Sequence, residues 1–182
     1  MTGTPVVVLD ACVLANFSLC DTLLRLAESP RLYEPKWSEE IIRETTHTLE
    51  SKLGWPGSLA AYLESELRAH FSEAWIMGYE PLIPRMTNDE KDRHVLAAAV
   101  HGEAPIIVTF NLRHFRNEHL KPWSIRAFHP ETFLIEIFNQ EKDMVVAKLE
   151  QQAVDRGRTL RQLLEILSAT VPEFVATISA AI

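Results

Sequence analysis

At 182 residues, 47% hydrophobic and 24% charged, the chain has the composition of one globular domain with a real core and, at most, a helical appendage. Its net charge of −7 excludes a protein that coats nucleic acid through bulk positive charge, but not one that cuts it, because a site for divalent cations needs carboxylates. The apolar runs are far too short to cross a bilayer, residues 1–5 hold no secretory pattern, and Cys12 and Cys20 have no histidine pair at zinc spacing, which together predict a cytoplasmic protein with reduced thiols and no membrane partner.

Residues 6–9 form an apolar β-branched run, the pattern of a buried parallel strand, and end in Asp10. Helical patterning follows over 13–27 through Leu14, Phe17, Leu23, Leu24 and Leu26, and Pro30 stops it. A short second strand is predicted at 31–33. Ser38 then reads as a helix N-cap, with Glu39 and Glu40 in a first turn where the dipole favours acids. That helix carries Ile41, Ile42, Thr45 and Leu49, stops by Gly54, and puts Glu44 one turn beyond Glu40. After a loop marked by Gly54, Pro56 and Gly57, Ser58 opens a helix with Leu59, Tyr62, Leu63 and Leu67 on one face predicted to be buried. A strand is expected near 80–83.

Residues 87–115, TNDEKDRHVLAAAVHGEAPIIVTFNLRHF, organise the rest. Asn88 and Asp89 are good N-caps for a helix through Val95, Leu96, Ala98 and Ala99, which Gly102 breaks. Residues 106–109 read as another buried strand, followed by a turn at Phe110, Asn111 and Leu112. Asp89 and Asp92, three apart at the helix start, fall on one face. Open parallel sheets bind ligands outside the carboxyl ends of their strands, so Asp10 and Asn111 are predicted to face one crevice, with Asp89 and Asp92 beside it. An edge strand at 124–128 and a helix from Pro130 to about 139 come next. Three helices close the chain, the second capped by Thr159 and carrying Leu160, Leu163, Leu164 and Leu167, the third opened by Pro172.

Singly, these polar residues have plain explanations: Asp89 as a cap, Glu44 on a solvated helix face, Asn111 in a turn. Asp10 is harder to place that way. A carboxylate after four apolar strand residues is partly buried and needs a cation, a hydroxyl or an amide as partner. Together, Asp10, Glu44, Asp89, Asp92 and Asn111 form an all-oxygen set suited to Mg²⁺ or Mn²⁺. Phosphatases of the haloacid dehalogenase type need a second Asp where Cys12 stands, and no Gly-rich turn supports a dinucleotide fold or P-loop.

The blocks VVLDACVL, SEEIIRETTHTL and DEKDRHVLAAAVHGEAPIIVTFNLRHF resemble the PIN-domain ribonucleases, in particular the VapC-like toxins of toxin–antitoxin pairs, over roughly residues 5–130. The resemblance implies an α/β/α sandwich on a central parallel sheet in residues 1–130, with residues 131–182 a C-terminal helical extension packed on the same domain. It implies a Mg²⁺- or Mn²⁺-dependent endoribonuclease that hydrolyses RNA phosphodiesters with a metal-activated water, a cognate antitoxin, and a homodimer. The family's first three acids match Asp10, Glu44 and Asp92. The fourth place holds Asn111, with Asp89 one turn away to supply charge. Asp10, Asp92 and Asp89 are the expected metal residues, and Asp10, Glu44, Asp92 and Asn111 the expected catalytic set.

Lys91, Arg93 and Arg113, with His114, Arg116, His119 and Lys121, cluster around the predicted crevice, as phosphate contacts or as surface ion pairs. Thr109 would hydrogen-bond a ligand carboxylate or a phosphate, or else only backbone. The histidines lack metal spacing and read as surface or rim residues. The four tryptophans read as core or interface residues before base-stacking platforms. The competing function is a non-catalytic module that binds RNA or protein, for which Asn111 is the support; a DNA-directed or housekeeping nuclease of the same fold is a third.

Overall fold

The computed structural model describes residues 3–182, so Met1 and Thr2, part of the segment read for a leader, lie outside the described residues. Five parallel strands form one sheet: β1 (Val6–Leu9), β2 (Glu34–Ser38), β3 (Trp75–Ile76), β4 (Ile106–Val108) and β5 (Arg126–Phe128), in the order β3-β2-β1-β4-β5. Val7, Val8 and Leu9, and all of β4, are buried without alternation, so helices cover both faces and the fold is an α/β/α sandwich. The order runs outward from β1 in both directions. The seam between β1 and β4 is therefore the topological switch point, where a crevice opens at the carboxyl ends. Its register pairs Leu9 with Val108, and the Asp10 N–H continues the ladder to the Val108 carbonyl at 3.1 Å.

The helices are α1 (Ala11–Leu14), α2 (Phe17–Ala27), α3 (Glu39–Ser51), α4 (Gly57–His70), α5 (Arg93–His101), α6 (Asn117–Leu120), α7 (Pro130–Gln140), α8 (Lys142–Asp155), α9 (Leu160–Leu167) and α10 (Pro172–Ser179). The Ser38 side chain caps α3 at the Ile41 N–H, Thr159 and Gln162 form a reciprocal capping box on α9, and Pro172 opens α10. Among the described residues, no helix is long and apolar enough to cross a membrane.

Several expectations fail for local reasons. The helix predicted at 13–27 is two, because the Asn16 side chain accepts from the Leu19 N–H and starts a new one. The second strand is Glu34–Ser38, not 31–33. Tyr33 is core, donating its hydroxyl to the Leu23 carbonyl at 2.8 Å. Pro35 is tolerated because β3 joins β2 only at Trp37 and Ser38, leaving Pro35 on an effective edge. The strand expected near 80–83 is a 3₁₀ turn over Glu80–Arg85 containing Pro81 and Pro84, and the strand is Trp75–Ile76 instead. In α4 the buried residues are Ala60 and Leu67; Leu59 and Tyr62 are 43% and 59% exposed and line an open groove with Phe17 and Trp55. Asn88 caps nothing: its amide is buried without a partner among the described residues.

The last helices pack on α2 and α7. Buried Gln152 of α8 accepts from the Thr22 hydroxyl at 3.0 Å and donates to Asp21 at 3.1 Å. Glu131 of α7 accepts from the Glu173 and Phe174 N–H groups at the start of α10. Leu163, Leu164 and Leu167 of α9 are buried, as core residues should be. Replacing Thr22 with Val keeps the shape but leaves the Gln152 carbonyl buried without its donor. Urea unfolding of Thr22→Val is expected to show a loss of about 1–3 kcal/mol.

Candidate metal centre at the carboxyl ends of β1 and β4

Asp10 ends β1 and N-caps α1, and its residue is 3% exposed. Its Oδ1 accepts from the Ala11 N–H at 2.7 Å; its Oδ2 accepts from the Thr109 hydroxyl at 2.6 Å and the Cys12 thiol at 3.2 Å. The β1–β4 register makes the Thr109 contact across the seam, since Asp10 and Thr109 each follow a paired strand residue. Burial pushes the Asp10 carboxyl above its ordinary pKa. The Thr109, Cys12 and Ala11 hydrogen bonds pull it down, and the negative charge of Asp92 pushes it up again. Burial, then the charge of Asp10, pushes the Cys12 thiol up to about 12, so it stays a donor.

Asp92 is held from the other side by His114, whose Nδ1 stands 2.5 Å from Asp92 Oδ2. Arg113 in turn donates to His114 Nε2 at 3.1 Å. The expected shared helix face for Asp89 and Asp92 is corrected. Asp89 caps a separate 3₁₀ turn, Glu90–Asp92, by accepting from the Lys91 N–H, and Asp92 immediately precedes α5. The turn still keeps them together, because ligand atoms of Asp89, Asp92 and His114 all lie within 4.8 Å of one another.

Glu44 reaches the same region from α3, its Oε1 3.3 Å from Nε2 of His94 in α5. His94 is buried, and neither ring nitrogen has a well-aligned hydrogen-bond partner among the described residues. Burial alone would lower its pKa, but the adjacent Glu44 carboxylate and the negative charges of Glu40 and Asp10 hold it above the ordinary imidazole value. His94 and His114 were both expected on the surface or rim, and both stand among the acids. The signal for His94 was a titratable residue directly before five consecutive buried positions, Val95 to Ala99.

Thr109 is fully buried, with its hydroxyl on Asp10 and accepting from the Asn111 N–H at 2.9 Å. It meets the carboxylate it was expected to meet and cannot reach a phosphate. Asn111 starts the 3₁₀ turn Leu112–His114, half-buried. Lys91 and Arg113 are exposed beside the crevice, whereas Arg93 turns back to the Asn88 carbonyl at 3.3 Å. Trp37 is fully buried, and Arg85 lies over Trp123 at 5.4 Å.

Among the described residues, no Arg or Lys side chain pairs with Asp10, Glu44, Asp89 or Asp92. Carboxylate oxygens with one imidazole beside them, and repulsion between Asp10 and Asp92, fit a divalent ion. A buried carboxyl with a raised pKa costs stability once it ionises. Its favourable contribution exists at low pH and disappears as pH rises through the folded-state pKa. In metal-free buffer at pH 7, Asp10→Asn is therefore expected to raise the thermal midpoint, with the gap closing on acidification, as differential scanning calorimetry would show.

The PIN-domain family model matches residues 6–113, which span β1, β4 and every acid described above. A curated protein of Mycobacterium tuberculosis (strain ATCC 25618 / H37Rv), named "Putative ribonuclease VapC50", is 38% identical over 128 residues, 69% of this chain and 74% of its own length. No solved structure is significantly similar to the chain. With its parallel sheet, its acids at the switch point and a family match over more than half its length, the chain belongs to the PIN-domain family.

Proposed function

We propose that this protein is a ribonuclease of the VapC type, a Mg²⁺- or Mn²⁺-dependent endonuclease restrained by a cognate antitoxin. The observation that carries the reading is the grouping of Asp89 and Asp92 with His114, the charge of Asp92 acting on buried Asp10, and the contact of Glu44 with His94, with no Arg or Lys side chain paired to these acids among the described residues. Family membership and the relative named as a ribonuclease support the RNA substrate. Residues 131–182 form a helical extension that braces α2, and the protein works in the cytoplasm as a homodimer. The free thiols of Cys12 and Cys20 support that compartment.

Asp10, Asp92 and Asp89 hold the divalent ion, with Glu44 and Asn111 completing the set directly or through water. When bound, such an ion lowers the pKa of a water and offsets charge on the attacked phosphate. Thr109, Cys12 and the Ala11 N–H aim the Asp10 carboxylate and lower the cost of its charge. His114 does the same for Asp92. Asn111 offers an amide where the resemblance implies an acid, so on this reading the site carries one negative charge fewer. Exposed Lys91 contacts phosphates flanking the scissile one, and so do the guanidinium nitrogens of Arg113 that its Nε bond to His114 leaves over, while Arg93 braces the turn that carries Asp89 and Asp92.

Asp10→Asn is expected to abolish divalent-dependent cleavage of a labelled RNA panel while the protein stays folded. Undiminished cleavage would defeat the mechanism. A wild type that binds the panel but never cuts it with Mg²⁺ or Mn²⁺ would favour the non-catalytic reading that Asn111 supports. Lys91→Ala is expected to weaken RNA binding by a similar factor for every sequence and to lower the salt slope by about 0.7–0.9, measured by fluorescence anisotropy across ionic strengths. Growth arrest on expression, relieved by the product of an adjacent small reading frame, tests the antitoxin pairing.

A further inference from the structure

We infer that His94 is a positioning residue that holds the Glu44 carboxylate in its ion-binding orientation, an inference that rests on the metal-dependent reading above. Glu44 projects from α3 with a side chain that is 42% exposed, and His94 Nε2 at 3.3 Å is its one charged or polar side-chain neighbour at ion-pair distance among the described residues. A flexible, half-exposed carboxylate is a poor ligand until something fixes it. His94 can fix it because its own ring is fixed: the side chain is 8% exposed, in the first turn of α5, in a row with buried Val95, Leu96 and Ala97.

A buried imidazole normally satisfies its nitrogens. Here both lack an aligned partner, and Nε2 stands 3.3 Å from Glu44 Oε1. The Nε2 edge of His94 is thus turned toward Glu44 and not into a closed core network. Residues that orient ligand side chains matter to metal affinity nearly as the ligands do, with typical losses of about 10–100-fold on removal. A plain core histidine would instead be replaceable by an apolar residue without effect on ion binding.

Calorimetric titration of the full chain with Mn²⁺ alone tests this on wild type, His94→Leu, His94→Gln and His94→Asn. His94→Leu is measured again in a Glu44→Gln background, with Asp10→Asn as control. A Gln amide nitrogen reaches about as far as imidazole Nε2, and an Asn nitrogen only as far as Nδ1. The Leu and Asn variants are expected to bind Mn²⁺ at least about 10-fold more weakly, with Gln restoring near wild-type affinity. In the Glu44→Gln background His94→Leu should cause no further loss. Wild-type affinity in His94→Leu, equal behaviour of Gln and Asn, or an undiminished loss without the Glu44 carboxylate would each overturn the role of His94. Should the leucine variant fail to fold, the Gln and Asn pair decides by the same criterion. Mn²⁺ binding that ignores Asp10→Asn overturns the metal-site reading and this inference with it. Binding that needs Asp10 but ignores His94 overturns the inference alone.

Discussion

The hydrogen bond from the Thr109 hydroxyl to Asp10 Oδ2, 2.6 Å across the seam between β1 and β4, is the contact on which the crevice depends. A carboxylate buried at a strand end is expensive, and an isolated one would protonate or distort its surroundings. Thr109 lowers that cost without neutralising the charge, as an arginine would. The same hydroxyl accepts from the Asn111 N–H, so one group fixes both the first acid and the turn that follows β4. The register of two short strands thereby sets the position of residues 99 apart in sequence.

Around that contact, the acids are held by different means. Asp92 leans on His114, itself braced by Arg113, and Asp89 is tied to its own turn. Glu44 stands on α3, which follows β2, and its side chain is 42% exposed. A site of this kind has one rigid carboxylate and several adjustable ones. An ion with strict octahedral demands needs that combination, since Mg²⁺ keeps several waters and takes few direct carboxylates. The C-terminal helices reach this region indirectly. Gln152 and Thr22 lock α8 to α2, and α2 follows α1, which starts at Asp10.

Much of this was legible where the signal was local. Residues 6–9 and 106–109 read as strands because both faces of a parallel sheet are covered, and the Ser38, Thr159 and Pro172 starts follow from side-chain and backbone chemistry within a turn. The nearness of Asp10 and Asn111, both tied to Thr109, followed from the switch-point rule. What was hidden depended on partners far along the chain. Glu34, Pro35 and Lys36 carry no strand pattern, and only pairing with Val6, Val7 and Val8 makes them one. Leu59 and Tyr62 show a sound helical face, but it borders a groove with Phe17 and Trp55, and the core lies on the Ala60 and Leu67 side. His94 is one imidazole among seven in the sequence until α5 and α3 meet.

The family match covers the acids and the seam, with an amide at Asn111. Whether the remaining acids suffice is a question of ion binding before it is one of cleavage. The most direct measurement is anomalous scattering from crystals soaked in Mn²⁺. The account predicts a peak touching the carboxylates of Asp10 and Asp92 at the carboxyl ends of β1 and β4. A crystal with no peak there, or with Mn²⁺ bound only away from Asp10, would contradict it.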